Sequence, residues 1–190
     1  MEDRELVQRI VAKDHAAFQS FVQHYQSRVF RTCYQILGNE QDAEDLAQEV
    51  FLRVYEQAAG FRGECKISTW LYRVAINLSL NRRRKQKWNR YLGPFGSPED
   101  KESDPDSHVA AEDERPDKLL EKKEVSEILR QALDALPEKQ RAAMILHKLE
   151  GLSYQQIADV LQTSLPSVES LIHRAKRNLQ RRLLPFAEET

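Results

Sequence analysis

Cysteine is nearly missing from this chain. Two of its 190 residues carry a thiol, Cys33 and Cys65, and they lie 32 positions apart. They form no CxxC or Cys-His spacing, so neither a zinc site nor a disulfide framework is expected. Cys33 falls with Val29, Phe30 and Ile36 on a helical stretch and reads as core, whereas Cys65 falls in a polar loop. No apolar run approaches the ~20 residues that span a bilayer. The first ten residues, MEDRELVQRI, hold no signal-peptide core. Direct membrane insertion is therefore not expected, and the setting implied is reducing and cytoplasmic. There is no P-loop, no Gly-rich phosphate cradle and no Ser/His/Asp order, and the histidines at 15, 24, 108, 147 and 173 are scattered. Paired carboxylates cluster only at helix starts. The chain is thus expected not to be an enzyme, with no metal, no cofactor and no small-molecule substrate.

What is present is charge, and it is segregated. The net charge is −1. Residues 1–92 hold 15 Lys/Arg against 11 Asp/Glu, residues 93–117 hold 2 against 9, and residues 118–190 hold 12 against 10. A near-neutral total therefore does not argue against nucleic acid; the distribution decides. Apolar residues make up 41% of the chain, enough for a packed core. The periodicity is helical nearly throughout and no strand pattern of any length occurs. Helices are expected over about 3–12, 15–37, 40–58, 67–90, 118–135 and 138–150. Asp14 and Asn39 are placed as N-caps, and Gly38 ends the second helix. Leu6, Val7, Ile10 and Val11 are assigned to one inward face, and Val125, Ile128, Leu129 and Leu133 to another. Residues 93–117 are rich in Pro, Gly, Ser and acids and cannot support a core. The expected fold is all-α: two small helical domains, 1–92 and 118–190, joined by a flexible acidic linker, 93–117. As a coil that tether would reach on the order of 28 Å.

The stretch LSYQQIADVLQTSLPSVESLIHRAKRNLQRR, from Leu152 to Arg182, reads as a helix-turn-helix. Tyr154, Ile157, Ala158 and Leu161 form one apolar stripe. Ser153 and Gln156 have capping-box spacing. After a polar break at Gln162-Thr163-Ser164, Pro166 occupies the first turn of a second helix. There Val168, Ile172, Ala175 and Leu179 face inward. Ser170, His173, Arg174, Arg177 and Arg181 face out, as a helix entering a major groove requires.

Two further surfaces carry chemistry. From Arg73 through Arg90 there are seven basic residues and no acid. Such a run attracts a phosphate backbone. Aromatic and polar side chains stand just before it, and aromatics interleaved with Arg suit unstacked single-stranded bases. On the third helix Asp45, Gln48, Glu49 and Leu52 make an acidic-polar patch near Phe51; on the residues alone it is an ordinary exposed face.

Four blocks now resemble a known family. They are DAEDLAQEVFLRVYE, FRG followed by STWLYRVAINLSLNRRRK, LPEKQRAAMILHKLEGLSYQQIADVL, and PSVESLIHRAKRNL. In that order and spacing they resemble the extracytoplasmic-function (ECF) class of sigma-70 family RNA polymerase sigma factors. The resemblance implies a bacterial initiation factor that binds core RNA polymerase, through its β′ clamp and β subunit, and promoter DNA both duplex and single-stranded. An anti-sigma factor is implied as a further partner. Asp45, Gln48, Glu49 and Leu52 match the block that docks on the polymerase clamp. Phe61, Arg62, Ser68, Thr69, Trp70, Arg73 and Asn77 match the part that melts the −10 element and captures a flipped base. Arg82, Arg83 and Arg84 match the basic stretch beside the upstream duplex. Ser167, Glu169, Ser170, His173, Arg174 and Arg177 match the −35 reader. Where primary sigma factors present a Tyr and two adjacent Trp, this chain has Ile67 and Trp70-Leu71, so weaker melting is implied. Many relatives carry Arg where Glu169 and Leu171 stand, so the −35 sequence cannot be inherited. The competing reading is a helix-turn-helix regulator that binds duplex DNA on its own. It leaves the basic run and the Asp45–Glu49 face without a role.

Overall fold

The structure, a computed structural model, describes residues 3–92 and 116–187, and its elements are all helices. Four helices come before the acidic segment: α1 (Asp3–Val11), α2 (His15–Leu37), α3 (Glu40–Gln57) and α4 (Ile67–Leu92). A short 3₁₀ turn, Ala58–Gly60, follows α3. Four come after it: α5 (Pro116–Asp134), α6 (Glu138–Lys148), α7 (Tyr154–Leu161) and α8 (Leu165–Ala187). Residues 93–115, most of the expected linker, lie outside the described residues. Helix α5 begins inside the expected linker, with Pro116 in its first position, where a missing N–H leaves no bond unmade. Helix α8 continues five residues beyond Arg182.

Capping sets the helix boundaries. Asp14 accepts from the Ala17 N–H at 3.0 Å and pairs with Arg9 at 2.8 Å. Those two contacts, the backbone bond foremost, hold its carboxyl below the usual range. Asn39 accepts from the Asp42 N–H at 2.8 Å. Gly38 closes α2 in the left-handed region, φ 75°, and its N–H donates to the Tyr34 carbonyl. A side chain there would be strained, and its Cβ would come within 3.3 Å of the Arg130 guanidinium.

Two clusters make most of the core. The first joins α1 to α4 and includes Val7, Ile10, Phe21, Val29, Cys33, Leu46, Val50, Val54, Ile67, Leu71 and Ala75. Burial pushes the Cys33 thiol up to about 11, which fits the core placement expected for it. The second cluster crosses the two halves. Ile36, Tyr72, Ile76 and Leu80 pack with Ile145, Leu146, Ile157, Val160, Val168 and Ile172. Helix α4 therefore has two apolar stripes. Ile67, Leu71 and Ala75 face α1–α3, while Tyr72, Ile76 and Leu80, one position round, face α6–α8. The separation into a first and a second half that composition suggests is bridged by this shared cluster.

Three expected inward positions differ. Val11 is 41% exposed, Val125 64% and Leu129 45%. Val11 is the last residue of its helix. Among the described side chains of α5 the buried contacts lie at the C-terminal end, where Leu133 packs with Leu136, Met144, Ala175 and Leu179. The upstream turns of that helix have no such cover for Val125 and Leu129.

Candidate nucleic-acid interface

Helix α7 opens with the capping box read from the sequence: the Gln156 N–H donates to Ser153 Oγ at 3.3 Å, and the Ser153 N–H donates to Gln156 Oε1 at 2.9 Å. It ends on Gln162, a non-glycine residue in the left-handed region at φ 50°. The Thr163 N–H then donates to the Ala158 carbonyl, satisfying an end that would otherwise be orphaned. This tight reversal directs α8 away from α7. Val168, Ile172 and Ala175 of α8 are at most 1% exposed, and Asn178 donates to Gln140 of α6 at 2.9 Å. The opposite face carries Glu169, Ser170, His173, Arg174 and Arg177, all exposed, with Ser167 half-buried. A helix so anchored offers a rigid, basic surface of groove-binding dimensions.

On α3, Asp45 and Gln48 are exposed, as is Leu52 at 60%, and Glu49 is half-buried. Phe51, by contrast, is buried at 7% on the other side of that helix. Glu49 lies 3.7 Å from Arg53 and 3.6 Å from Arg82. Arg82 and Gln86 both donate to Asp42, at 3.3 and 2.8 Å. The acidic α3 face and the basic run of α4 thus border one groove, lined by Leu46, Glu49, Leu78, Arg82, Lys85 and Trp88.

A second cavity forms where the 60–66 loop meets α4. Phe61, Arg62, Cys65, Trp70 and Arg73 line it, together with Gln57 and, from α7, Asp159. The Phe61 and Trp70 rings lie 5.1 Å apart at 35°, an apolar wall against which a base could stack. Of the other residues matched to this site, Asn77 is exposed, Ser68 is half-buried and Thr69 is buried at 5%. Ile67 and Leu71, the positions where primary factors carry further aromatics, are core residues.

The basic residues of α4 are not all presented to solvent. Arg73 donates to the Asp159 carbonyl at 2.7 Å, while its Nε is buried without a partner. Arg83 is 8% exposed and donates to the carbonyls of Ile36 (2.6 Å) and Asp134 (3.1 Å) and to the Asp134 carboxylate (3.0 Å). Arg84 lies 3.0 Å from Glu138. Sequence reasoning missed two further buried charged groups, Glu150 and Arg141. The Glu150 carboxylate, its side chain only 1% exposed, accepts from Arg31 (3.0 Å), Thr32 (3.3 Å) and Tyr72 (2.6 Å). Burial and then Glu150 push the Tyr72 hydroxyl well above its ordinary value, so it remains a donor. Arg141, 1% exposed, donates to the Leu133 and Ile36 carbonyls and lies 2.6 Å from Asp134. The one signal for these partners was an Arg inside the apolar run Arg141–Leu146, since an Arg is seldom fully buried unless paired.

Comparison with known proteins adds an independent line. A family model described as Sigma-70 region 2 matches residues 21–89, and one described as Sigma-70, region 4 matches residues 126–179. The chain is 33% identical over 188 residues to the RNA polymerase sigma-H factor of Pseudomonas aeruginosa, covering 99% of this chain and 97% of that protein. It is 32% identical to the ECF RNA polymerase sigma factor SigW of Bacillus subtilis, covering 95% and 96%. Among solved structures, CnrH in complex with the cytosolic domain of CnrY is similar with a TM-score of 0.69 at 22% identity, covering 95% and 96%. The sigma factor RpoE of Bartonella quintana, in complex with the anti-sigma factor NepR, gives 0.67 at 19%, covering 87% and 96%. At those identities the two structures speak for the fold.

Proposed function

The chain belongs to the sigma-70 family, within its extracytoplasmic-function class of RNA polymerase sigma factors, and from that membership we propose how its residues divide the work. It binds core RNA polymerase and directs promoter-specific transcription initiation. It is an initiation factor, and no chemical step falls to its side chains. Residues 1–92 dock on the polymerase and melt the −10 element, residues 118–190 read the −35 element as duplex, and residues 93–117 tether the two.

The reading is carried by one observation: an acidic face, an aromatic cavity with an arginine, and a basic groove-sized helix follow one another in the order of the two matched regions. Asp45, Gln48, Glu49 and Leu52 form the docking face, whose charge complements a basic clamp. Phe61 and Trp70 receive an unstacked base. Flipping costs a few kcal/mol, which stacking and the backbone contacts of Arg62, Arg73 and Arg82–Arg84 offset. Ser68, Thr69 and Asn77 belong to the same −10 region, with Thr69 buried in the free chain. On α8, Ser167, Ser170, His173, Arg174 and Arg177 face the −35 groove, and Glu169 accepts from a cytosine N4. Two weak modules on one tether gain affinity through effective concentration. An anti-sigma factor is the regulatory partner; the RpoE–NepR complex, a sigma factor of this fold bound to one, supports it. With polymerase as partner, the site of action is the bacterial cytoplasm.

The test is transcription by core polymerase with and without the chain, on sheared bacterial DNA, with the transcripts sequenced. Discrete start sites should appear only with the chain. Asp45→Ala should weaken association with the core enzyme and leave duplex binding unchanged. Tight promoter binding without polymerase, and no new start sites with it, would instead favour the stand-alone regulator.

A further inference from the structure

We infer that the DNA-binding face of α4 extends past Asn77 to Trp88, where Lys85, Lys87 and Trp88 hold the sugar–phosphate backbone of the duplex upstream of the melted segment. The inference rests on the sigma-factor reading above and enlarges its −10 site. The arginines matched to the upstream duplex have their charge largely taken up inside the chain. Arg82 lies 3.3 Å from Asp42 and 3.6 Å from Glu49. Arg83 is 8% exposed and donates to the Ile36 carbonyl at 2.6 Å. Arg84 lies 3.0 Å from Glu138. The lysines that follow differ: among the described residues, no carboxylate pairs with Lys85 or Lys87. They are the cations of this run with most to gain from a phosphate.

Asn77, Asn81, Arg84, Lys85 and Trp88 are all exposed, and at steps of 4, 3, 1 and 3 residues they share one face of the helix. Trp88 is 64% exposed. Its ring borders the groove that Leu46 and Leu78 line, with Asn81, Lys85 and Lys87 around it. An exposed indole among amines and an amide suits a nucleic-acid backbone. The ring covers its apolar face against a deoxyribose, its N–H donates to a phosphate oxygen, and the amines neutralise the neighbouring phosphates. Among the described residues lining this groove Glu49 alone is acidic, and it lies 3.7 Å from Arg53 and 3.6 Å from Arg82. Charge argues against a protein occupant. The clamp proposed for the acidic face of α3 is basic, and Lys85 and Lys87 would repel it. Trp88 stands 11 positions after Asn77, about 16 Å along the helix. The added contact therefore falls within about five base pairs of the one Asn77 makes.

The experiment uses the full-length chain assembled with core polymerase, on a duplex fragment carrying one of the start sites found in the transcription assay. Trp88→Ala should bind that fragment about tenfold more weakly, the loss expected if about 60 Å² of indole is covered on binding. Trp88→Phe keeps a ring and should recover most of that affinity. Lys85→Gln with Lys87→Gln should lower the slope of log K against log salt by about 1.8, two phosphates at about 0.9 each. Ethylating phosphates within about five base pairs upstream of the melted segment should hinder the unaltered holoenzyme and not the lysine variant. Helicity, and association with the core enzyme measured without DNA, should match the unaltered chain for every variant. If Trp88→Ala loses helicity, the lysine variant decides alone. Weaker association with core would assign this face to a protein partner, and unchanged affinity and slope would leave it solvated; either result overturns the inference. With discrete start sites from the unaltered chain, the inference then falls alone; without them, the sigma reading falls and takes it along.

Discussion

Replacing Arg141 with methionine tests whether the buried guanidinium stabilises this fold or is merely tolerated. Methionine roughly keeps the length of the stem and removes the charge. In the native chain Arg141 Nε donates to the Leu133 carbonyl at 2.8 Å, and Nη1 serves the Asp134 carboxylate at 2.6 Å and the Ile36 carbonyl at 3.2 Å. Removing one partner of a buried pair costs about 3–5 kcal/mol when the other charge is stranded. Asp134 is not stranded here: Arg83 and Arg130 stay at 3.0 and 3.1 Å, and its side chain is 32% exposed. Ile36 keeps the Arg83 bond at 2.6 Å. The Leu133 carbonyl loses the Arg141 bond but keeps the Leu136 N–H at 3.0 Å, and Arg141 no longer has to be desolvated with Nη2 unpaired. The loss should therefore fall below that range, at about 2 kcal/mol, close to one charge-assisted hydrogen bond. For a chain of this size that lowers Tm by roughly 4–8 °C. Arg141→Ala should cost more, because it also leaves a void. Urea unfolding followed by far-ultraviolet circular dichroism measures both. If Arg141→Met unfolds at the native midpoint, the network contributes no net stability and the reasoning fails.

Three other outcomes follow from the same geometry. Ser153→Ala removes the capping-box acceptor at the start of α7 and should cost about 1 kcal/mol, or roughly 2–4 °C in Tm; an unchanged melting curve would mean packing alone sets that helix start. With a thiol reagent at neutral pH, Cys65, half-exposed in its cavity, should react quickly, whereas Cys33, buried and raised to about 11, should react only on unfolding; two fast thiols would contradict the core assignment. Arg174→Ala should weaken duplex binding and reduce the slope of log K against log salt by about 0.9, the contribution of one phosphate. An unchanged slope in titrations at several salt concentrations would remove Arg174 from the backbone-contacting set.

The acidic face and the basic run, read as separate surfaces along the chain, meet in space. Glu49 of the acidic face lies near Arg82 of the basic stretch, and Asp42 two turns earlier holds both Arg82 and Gln86. These pairs are partly exposed and individually weak. A basic partner at Glu49 would compete with Arg82 for the same carboxylate, so the docking and DNA contacts proposed above would share charges.

Local chemistry wrote the helix boundaries into the chain. Asp14, Asn39, Gly38 and the Ser153–Gln156 box act within a few residues of themselves, and each appears where its side chain or backbone freedom demands it. The outward row from Glu169 to Arg177 was legible for the same reason, because a 3.6-residue period separates a buried face from an exposed one whatever lies beyond it. The family's order of blocks was legible too, and with it the fold. What periodicity could not say is which partner an apolar stripe meets. Tyr72, Ile76 and Leu80 form a second stripe on α4, yet nothing local distinguishes cover by α3 from cover by α6–α8. Nor could a run of arginines announce that Arg83 turns inward while its neighbours do not. That choice depends on carbonyls and carboxylates 47 to 51 positions away in the chain, at Ile36 and Asp134, which only the assembled helices bring within hydrogen-bonding distance.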